Sequence, residues 1–429
     1  MSPLNPPGGS PTADNPMQAP APSRHAVTFV LITVLLDMVG FGLIMPVLPG
    51  LIEEVQGVGL ADAAFIGGWM LFAFSIMQFA FSPLMGNLSD RFGRRPLLLL
   101  SIFGLFVDYL FSAFAPSVFW LFVGRVVAGL CGSSYVIANA YIADVTPPEG
   151  RAKAYGLMGA AFGVGFVLGP AIGGLLGEFG TRVPFFVAAG LAACNLVYGW
   201  FVLPETLAPE KRRAFEWRRA NPFGTLAVFR RYSGVLPLCG VLFIYFFASS
   251  VYPAIWPFWG MAKFGWSVAM VGVSLAAFGL ITAFFQGVLT GPLVARFGEH
   301  RVALFGLIIA AVSAAGYGLV GTLAGVLILL VIHGPEGFVH PMLTAILSRA
   351  VPEDAQGELQ GGLSSVMNIA MLLGTVVFSQ IFGHFMQPDA IIQSPDVAMY
   401  VAAAVLVLAL GLFVATARAH PQGQSRGAD

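Results

Sequence analysis

Residues 86–95 read GNLSDRFGRR and are followed by Pro96. Long apolar runs flank them on both sides, and ten positions hold Asp90, Arg91, Arg94 and Arg95. So short a joint is not a domain. So many charges between two apolar segments belong in water, at a bilayer surface. Lys and Arg of short loops are retained on the cytoplasmic side, which places this loop there. Gly86 and Gly93 let the flanking helix ends approach closely, and Pro96 suits the first turn of the next helix.

Composition agrees with a chain dissolved in lipid. Of 429 residues, 57% are hydrophobic and 10% charged, against about 25% charged in a soluble domain. The net charge of zero gives no argument for nucleic acid or an acidic partner. Cys131, Cys194 and Cys239 all fall in apolar runs. Their spacing fits no metal site or disulfide framework, and they read as small buried fillers. Residues 1–23 are rich in Pro, Gly, Ser and Ala. They are expected to be a disordered cytoplasmic tail rather than a signal peptide.

Twelve apolar runs follow, centred on 27–50, 62–85, 96–115, 118–143, 153–177, 183–203, 234–257, 267–293, 302–319, 323–349, 358–386 and 397–417. Each is near the roughly 20 residues a spanning helix needs. Arg91, Arg94, Arg95, Arg151, Lys153, Arg296, Arg301 and Arg349 fall in or beside every second loop. The opposite loops hold little beyond Arg182 and Lys263. Both termini are therefore expected in the cytoplasm. Residues 24–203 and 234–418 form two six-helix bundles, 204–233 a basic cytoplasmic linker, and 419–429 a second disordered tail.

The halves repeat. Gly86-x-x-x-x-Arg-Phe-Gly93 recurs as Gly291-x-x-x-x-Arg-Phe-Gly298, and Pro147 with Gly156 as Pro352 with Gly361, both at an offset of 205 residues. A constant register over such a stretch argues duplication, the parallel repeat of carriers that bind substrate near the midplane between two halves. Ala295 stands where Asp90 would be and Glu299 where Arg94 would be. The charged loop thus reads as mostly a device of the first half.

An ionisable group at mid-bilayer costs at least roughly 2.5–3.5 kcal/mol and needs a reason. Asp37, Asp108, Arg125 and Glu336 are such groups. Asp37 and Asp108 sit at nearly one depth in the first and third spans. Asp108 and Arg125 lie at matching distances from the turn at Pro116 and Ser117, so they are expected to interact. Glu336 lies within HGPEGFVHP, residues 333–341. Its prolines and glycines loosen the helix, which is tolerable where it faces protein or a wet cavity. His333, His340 and His384 read as packing histidines, without a third ligand for a metal. Asp144, at the inner end of the fourth span, can pair with Arg91, Arg94 or Arg95 and is expected to release them when the inner side opens. In the fifth span Gly159, Gly163, Gly169, Pro170, Gly173 and Gly174 make a smooth stripe for close helix contact.

These residues carry a resemblance. The GNLSDRFGRR loop resembles the signature of the major facilitator superfamily, and the Gly-Pro-x-x-Gly-Gly ending of the fifth span resembles that of its antiporters. Leu35-Leu36-Asp37 with Gly40, Gly42 and residues 43–49 is similar to the first span of the tetracycline/proton antiporters. Asp108-Tyr109, Gly124-Arg125 and residues 356–361 (QGELQG) continue the likeness. The resemblance implies a functional role for Asp37, Asp108 and Arg125. It also implies an inner gate of Gly86, Asp90, Arg91, Gly93, Arg94 and Arg95. The second half departs from the pattern: residues 302–319 contain no acid, and 266–292 no histidine. Glu336 is an addition that could take over a proton role. Tyr245, Phe246, Tyr252, Trp256, Phe258 and Gln286 are a candidate wall for a flat amphipathic substrate.

The expected protein is an all-α, twelve-span carrier of the bacterial inner membrane. It is expected to export a drug-like compound against protons, with tetracycline the implied example. A divalent cation would accompany a tetracycline chelate, and no resident cofactor, metal, nucleic acid or obligatory protein partner is implied. The alternative is a symporter or facilitator for a small metabolite. An enzyme is not expected, since no nucleophile or phosphate-cradling loop appears in the aqueous segments.

Overall fold

The computed structural model describes residues 24–132, 134–213, 229, 232, 234–352 and 355–419. The expected tails and most of the linker lie outside these residues. The described chain is helical and holds twelve helices long and apolar enough to cross a membrane: Val27–Ile44, Leu60–Phe92, Arg94–Phe114, Val118–Val145, Lys153–Gly177, Val183–Val202, Val235–Phe264, Val268–Phe297, Glu299–Leu319, Leu323–Arg349, Glu358–Phe385 and Val397–Arg418. They are called spans 1 to 12 in chain order. In hydrocarbon only helices and closed barrels satisfy every backbone group, and apolar runs of this length form helices.

Local sequence marks the interruptions. The run expected over 27–50 splits, and Pro49 helps start a separate short helix, Leu48–Gln56. Span 2 ends at Gly93, whose φ of 107° only glycine adopts freely, and Gly298 ends span 8 at φ 77°. The sequence repeat is therefore a repeat of backbone conformation. Span 7 changes helix at Ser250, and span 8 carries a π turn over Phe285–Leu289. Span 10 tightens to a 3₁₀ turn over Gly334–Phe338, where Pro335 lacks the amide an α-helix requires.

The bundles meet along span 5 against span 8 and span 2 against span 11. Glycine sets the approach. A methyl group on Gly272 would lie 2.2 Å from the Pro170 carbonyl oxygen, and one on Gly174 would lie 3.0 Å from Gly272 Cα. In the other seam, a methyl on Gly383 would lie 2.8 Å from the Phe65 ring. These contacts lie toward the side opposite residues 86–95, here the far side. On the loop side Gly159 and Gly163 of span 5, and Gly287 and Gly291 of span 8, face open space. The bundles are closed on the far side and parted on the loop side.

Two polar clasps cross the far ends. Gln387 Nε2 donates to Asp62 Oδ1 at 2.7 Å. The Ala269 amide, in the first turn of span 8, donates to Glu178 Oε1 at 2.9 Å. That amide and the Ser267 hydroxyl hold the Glu178 carboxyl below its ordinary value of 4.5. A depressed carboxyl stabilises the clasped state above its ordinary value, and that contribution is lost as pH falls through the depressed one. Glu178→Gln, or acid below pH 4.5 on the far side, should shift spin labels at the far ends of spans 5 and 8 toward longer separations. An unchanged distance distribution in both cases would show the clasp to be idle.

Candidate functional site

Asp108 in span 3 and Arg125 in span 4 are 1% and 6% exposed and form an ion pair of 2.5 Å. Gly124 makes the room: a methyl there would lie 2.6 Å from Asp108 Oδ1. Arg125 also lines a cavity between the bundles, with Phe41, Met45, Met70, Pro257 and Phe258. It thus connects the buried acid to the space where the two halves face each other. Asp37 is buried in span 1, with Ser134 as its hydrogen-bonding neighbour. Its Oδ2 has no partner among the described residues. Tyr109 packs its hydroxyl over Gly40, one turn along span 1.

The C-terminal bundle holds a second polar centre. Ser249 Oγ donates to Glu336 Oε1 at 2.8 Å, and His333 Nε2 hydrogen-bonds Glu336 Oε2. His333 is 2% exposed, and its pairing with an acid replaces the packing role expected from sequence. The expected aromatic wall is corrected too. Tyr245 is buried beside Glu336. Trp256 donates its indole N–H to Ser274 Oγ at 2.9 Å, and Tyr252 and Trp256 pack on Tyr317. These three side chains turn into their own bundle, where Tyr245 meets Glu336 and Trp256 meets Ser274. Gln286 is exposed and donates to the Gly337 carbonyl at 2.9 Å. Phe258 alone of the expected group lines the inter-bundle cavity, with Pro253, Ala254 and Pro257 beside it.

On the loop side Arg94 is the hub. It pairs with Asp90 at 2.6 Å and with Asp144 at 3.0 Å, and hydrogen-bonds Ser89 Oγ at 2.6 Å. Glu205 accepts the amides of Arg94 and Arg95, the first residues of span 3. Arg95 donates to the Trp200 carbonyl at 2.7 Å, and Arg91 lies over the Phe92 ring. The Arg94–Asp144 pair lies within one bundle and is intact while the loop side is open. The expectation that opening releases it is corrected: both partners belong to one bundle and stay paired while the bundles are parted.

A second correction follows from the repeat. Arg349 pairs with Glu299 at 2.6 Å, and these positions stand 205 residues beyond Asp144 and Arg94. The latch is duplicated with its charges exchanged, so it is not a device of the first half. Reading residues 94 and 144 through the repeat offset would have found it.

The glycine stripe of span 5 serves two partners. Methyl groups on Gly169 and Gly173 would strike the span 1 backbone at 2.7 and 2.3 Å, whereas Gly174 meets span 8. Pro170 touches both, Gly42 on one side and Gly272 on the other. Gly159 and Gly163 touch neither.

Comparison with known proteins agrees with this geometry. The family model of the Major Facilitator Superfamily matches residues 30–254 and 238–429. The tetracycline resistance protein, class C, of Escherichia coli is 41% identical over 365 residues, covering 84% of this chain and 90% of that protein. The class G protein of Vibrio anguillarum is 38% identical over 364 residues, 84% and 91% of the two chains. In fold, the chain resembles the crystal structure of a bacterial homolog of the human lysosomal transporter Spinster, in an inward-facing and occupied conformation. That likeness has a TM-score of 0.74 at 16% identity and covers 96% of this chain and 100% of that one.

Two outcomes test the charge geometry. Removing Asp108 or Arg125 alone leaves a buried charge, so Asp108→Asn and Arg125→Gln should each destabilise by about 3–5 kcal/mol. The double variant should lose less than the sum, by about 1–3 kcal/mol of coupling, in thermal unfolding of the purified protein. For the latch, Arg94→Glu and Asp144→Arg should each lower thermal stability. Together they rebuild the polarity of Glu299 and Arg349, and most of the loss should be recovered. Additive losses would mean that the pair contributes no specific interaction.

Proposed function

The chain belongs to the Major Facilitator Superfamily, and on that premise we propose that it is a proton-coupled antiporter exporting an amphipathic, drug-like compound of the tetracycline class. The observation that carries this reading is Asp37: a buried carboxyl group at mid-span, with one oxygen unpartnered and no ion pair among the described residues. In hydrocarbon such a group needs a reason to persist, and reversible protonation is one. The relatives named for tetracycline resistance support the substrate class. Both termini and the 86–95 loop lie in the cytoplasm of a bacterial cell, with the protein in its inner membrane. The state described here then opens to the cytoplasm.

In that state an ionised Asp37 and the Asp108–Arg125 pair at the cavity take up a polar or cationic compound. Reorientation exposes the site outside, where protonation of Asp37 removes its negative charge and weakens the contact. Desolvation favours the protonated form of a carboxyl group. Burying a neutral acid costs less than burying a carboxylate, so the protonated empty carrier swings back. If the cycle moves net charge, the membrane potential adds about 2.3 kcal/mol per charge per 100 mV. Arg94 with Asp90 and Asp144, and Glu299 with Arg349, keep each bundle's inner end intact through the swing.

Asp37→Asn should abolish uphill tetracycline uptake into inverted vesicles energised by a pH gradient, down to the level of vesicles lacking the protein. An unchanged gradient-driven flux would remove Asp37 from the cycle.

A further inference from the structure

We propose that His333 and Glu336 together form a proton-binding site of their own, housed inside the C-terminal bundle and apart from Asp37. This inference rests on the antiport reading above and gives its far side the proton source. His333 ends the α-helix that leads into the 3₁₀ turn of span 10, and Glu336 stands three residues on, within that turn. Residues at that spacing are neighbours on one helical face. The imidazole lies between the rings of Tyr252 and Phe278, at centroid distances of 4.7 and 4.8 Å. Its Nε2 meets Glu336, and its Nδ1 meets the Tyr317 hydroxyl at 3.2 Å.

This arrangement is satisfied in two protonation states. In the unloaded state the neutral imidazole donates from Nε2 to the carboxylate, and Tyr317 donates its O–H to Nδ1. In the loaded state an N–H bond has formed at Nδ1, and the Tyr317 hydroxyl has turned to accept from it. A hydroxyl both donates and accepts, so the hydrogen bond between Nδ1 and Tyr317 is kept in both states. Only a proton is gained; no electrons move. The site's net charge goes from −1 to zero, and Ser249 and Tyr245 remain as donors to the carboxylate.

Geometry points the site to the far side. Tyr317 is two residues from the far end of span 9, and its backbone carbonyl accepts from Lys263 Nζ at 3.1 Å. Lys263 in turn pairs with Asp396 at 2.8 Å, at the far end of span 12. Beside His333, between Tyr252 and Tyr317, lies a cavity of about 20 Å³, room for one water molecule. The Tyr252 hydroxyl is buried and without a partner among the described residues. Tyr245 and Tyr252 of span 7 and Tyr317 of span 9 are the titratable groups that face the pair. Span 8 contributes Phe278, and its only charged residue, Arg296, stands at the loop-side end.

Infrared difference spectra of the full-length protein in liposomes, recorded without substrate across a pH step, test the site directly. The wild type and Asp37→Asn should both show a coupled carboxyl and imidazole change. Glu336→Gln and His333→Gln should lose it, while Glu336→Asp should keep it with a midpoint moved by roughly one pH unit. Bands that persist in Glu336→Gln or His333→Gln would overturn the proposal. So would bands that vanish in Asp37→Asn, since the two sites would then be one. In proteoliposomes, protons moved per tetracycline should fall in His333→Gln, and an unchanged ratio would also overturn it. A wild type that moves no tetracycline but keeps the infrared change would sink the antiport reading and leave this site standing.

Discussion

A charge surrounded by hydrocarbon must be answered by another group, and this requirement organises both bundles. Asp108 is answered by Arg125 and Glu336 by His333, and at the far ends Lys263 is answered by Asp396. Each answer ties helices or turns that would otherwise have only apolar contacts to set their register, because helices apolar on all sides carry little rotational information. Asp37 breaks the pattern: among the described residues it has no ion pair, and its Oδ2 has no partner. An exception to so costly a rule is the natural place to look for chemistry.

The internal repeat separates scaffold from site. Gly93 and Gly298 share a left-handed backbone, and the loop-side ion pair is present in both halves with its charges exchanged. Mid-membrane chemistry is not shared. Ser313 and Leu330 occupy the positions equivalent to Asp108 and Arg125, and Cys131 the position equivalent to Glu336. The ends of the bundles have kept a common mechanical part, whereas their centres have acquired different polar groups. A reading that treats the halves as equal partners in the chemistry therefore fails at the residues that matter most.

Much of this was legible in the chain itself. The twelve spans follow from apolar length, the duplicated halves from one constant offset, and the meeting of Asp108 with Arg125 from equal distances to a turn. What escaped has identifiable causes. Tyr245, Tyr252 and Trp256 sit on a helix hydrophobic around its whole circumference, so periodicity could not say whether they face the gap or the bundle. His333 shares no metal-ligand spacing with the distant His340 and His384, and the nearer signal is an acid three residues along. The Glu299–Arg349 pair is invisible to residue identity across the repeat and shows only as complementary charge.

At the glycine crossing of spans 5 and 8 the backbones meet directly at Pro170, Gly174 and Gly272, with only Val167 and Val268 packing into glycine gaps beside it. The two backbones bear on each other as a fulcrum, with little to unmesh before one arm tilts against the other. An arm of 30 residues is about 45 Å long. Leverage therefore magnifies any change in bearing height: one added methyl at this point would displace the distant helix tips by more than its own width, and tolerance for substitution should be narrowest at a spot apart from Asp37 and the Asp108–Arg125 pair.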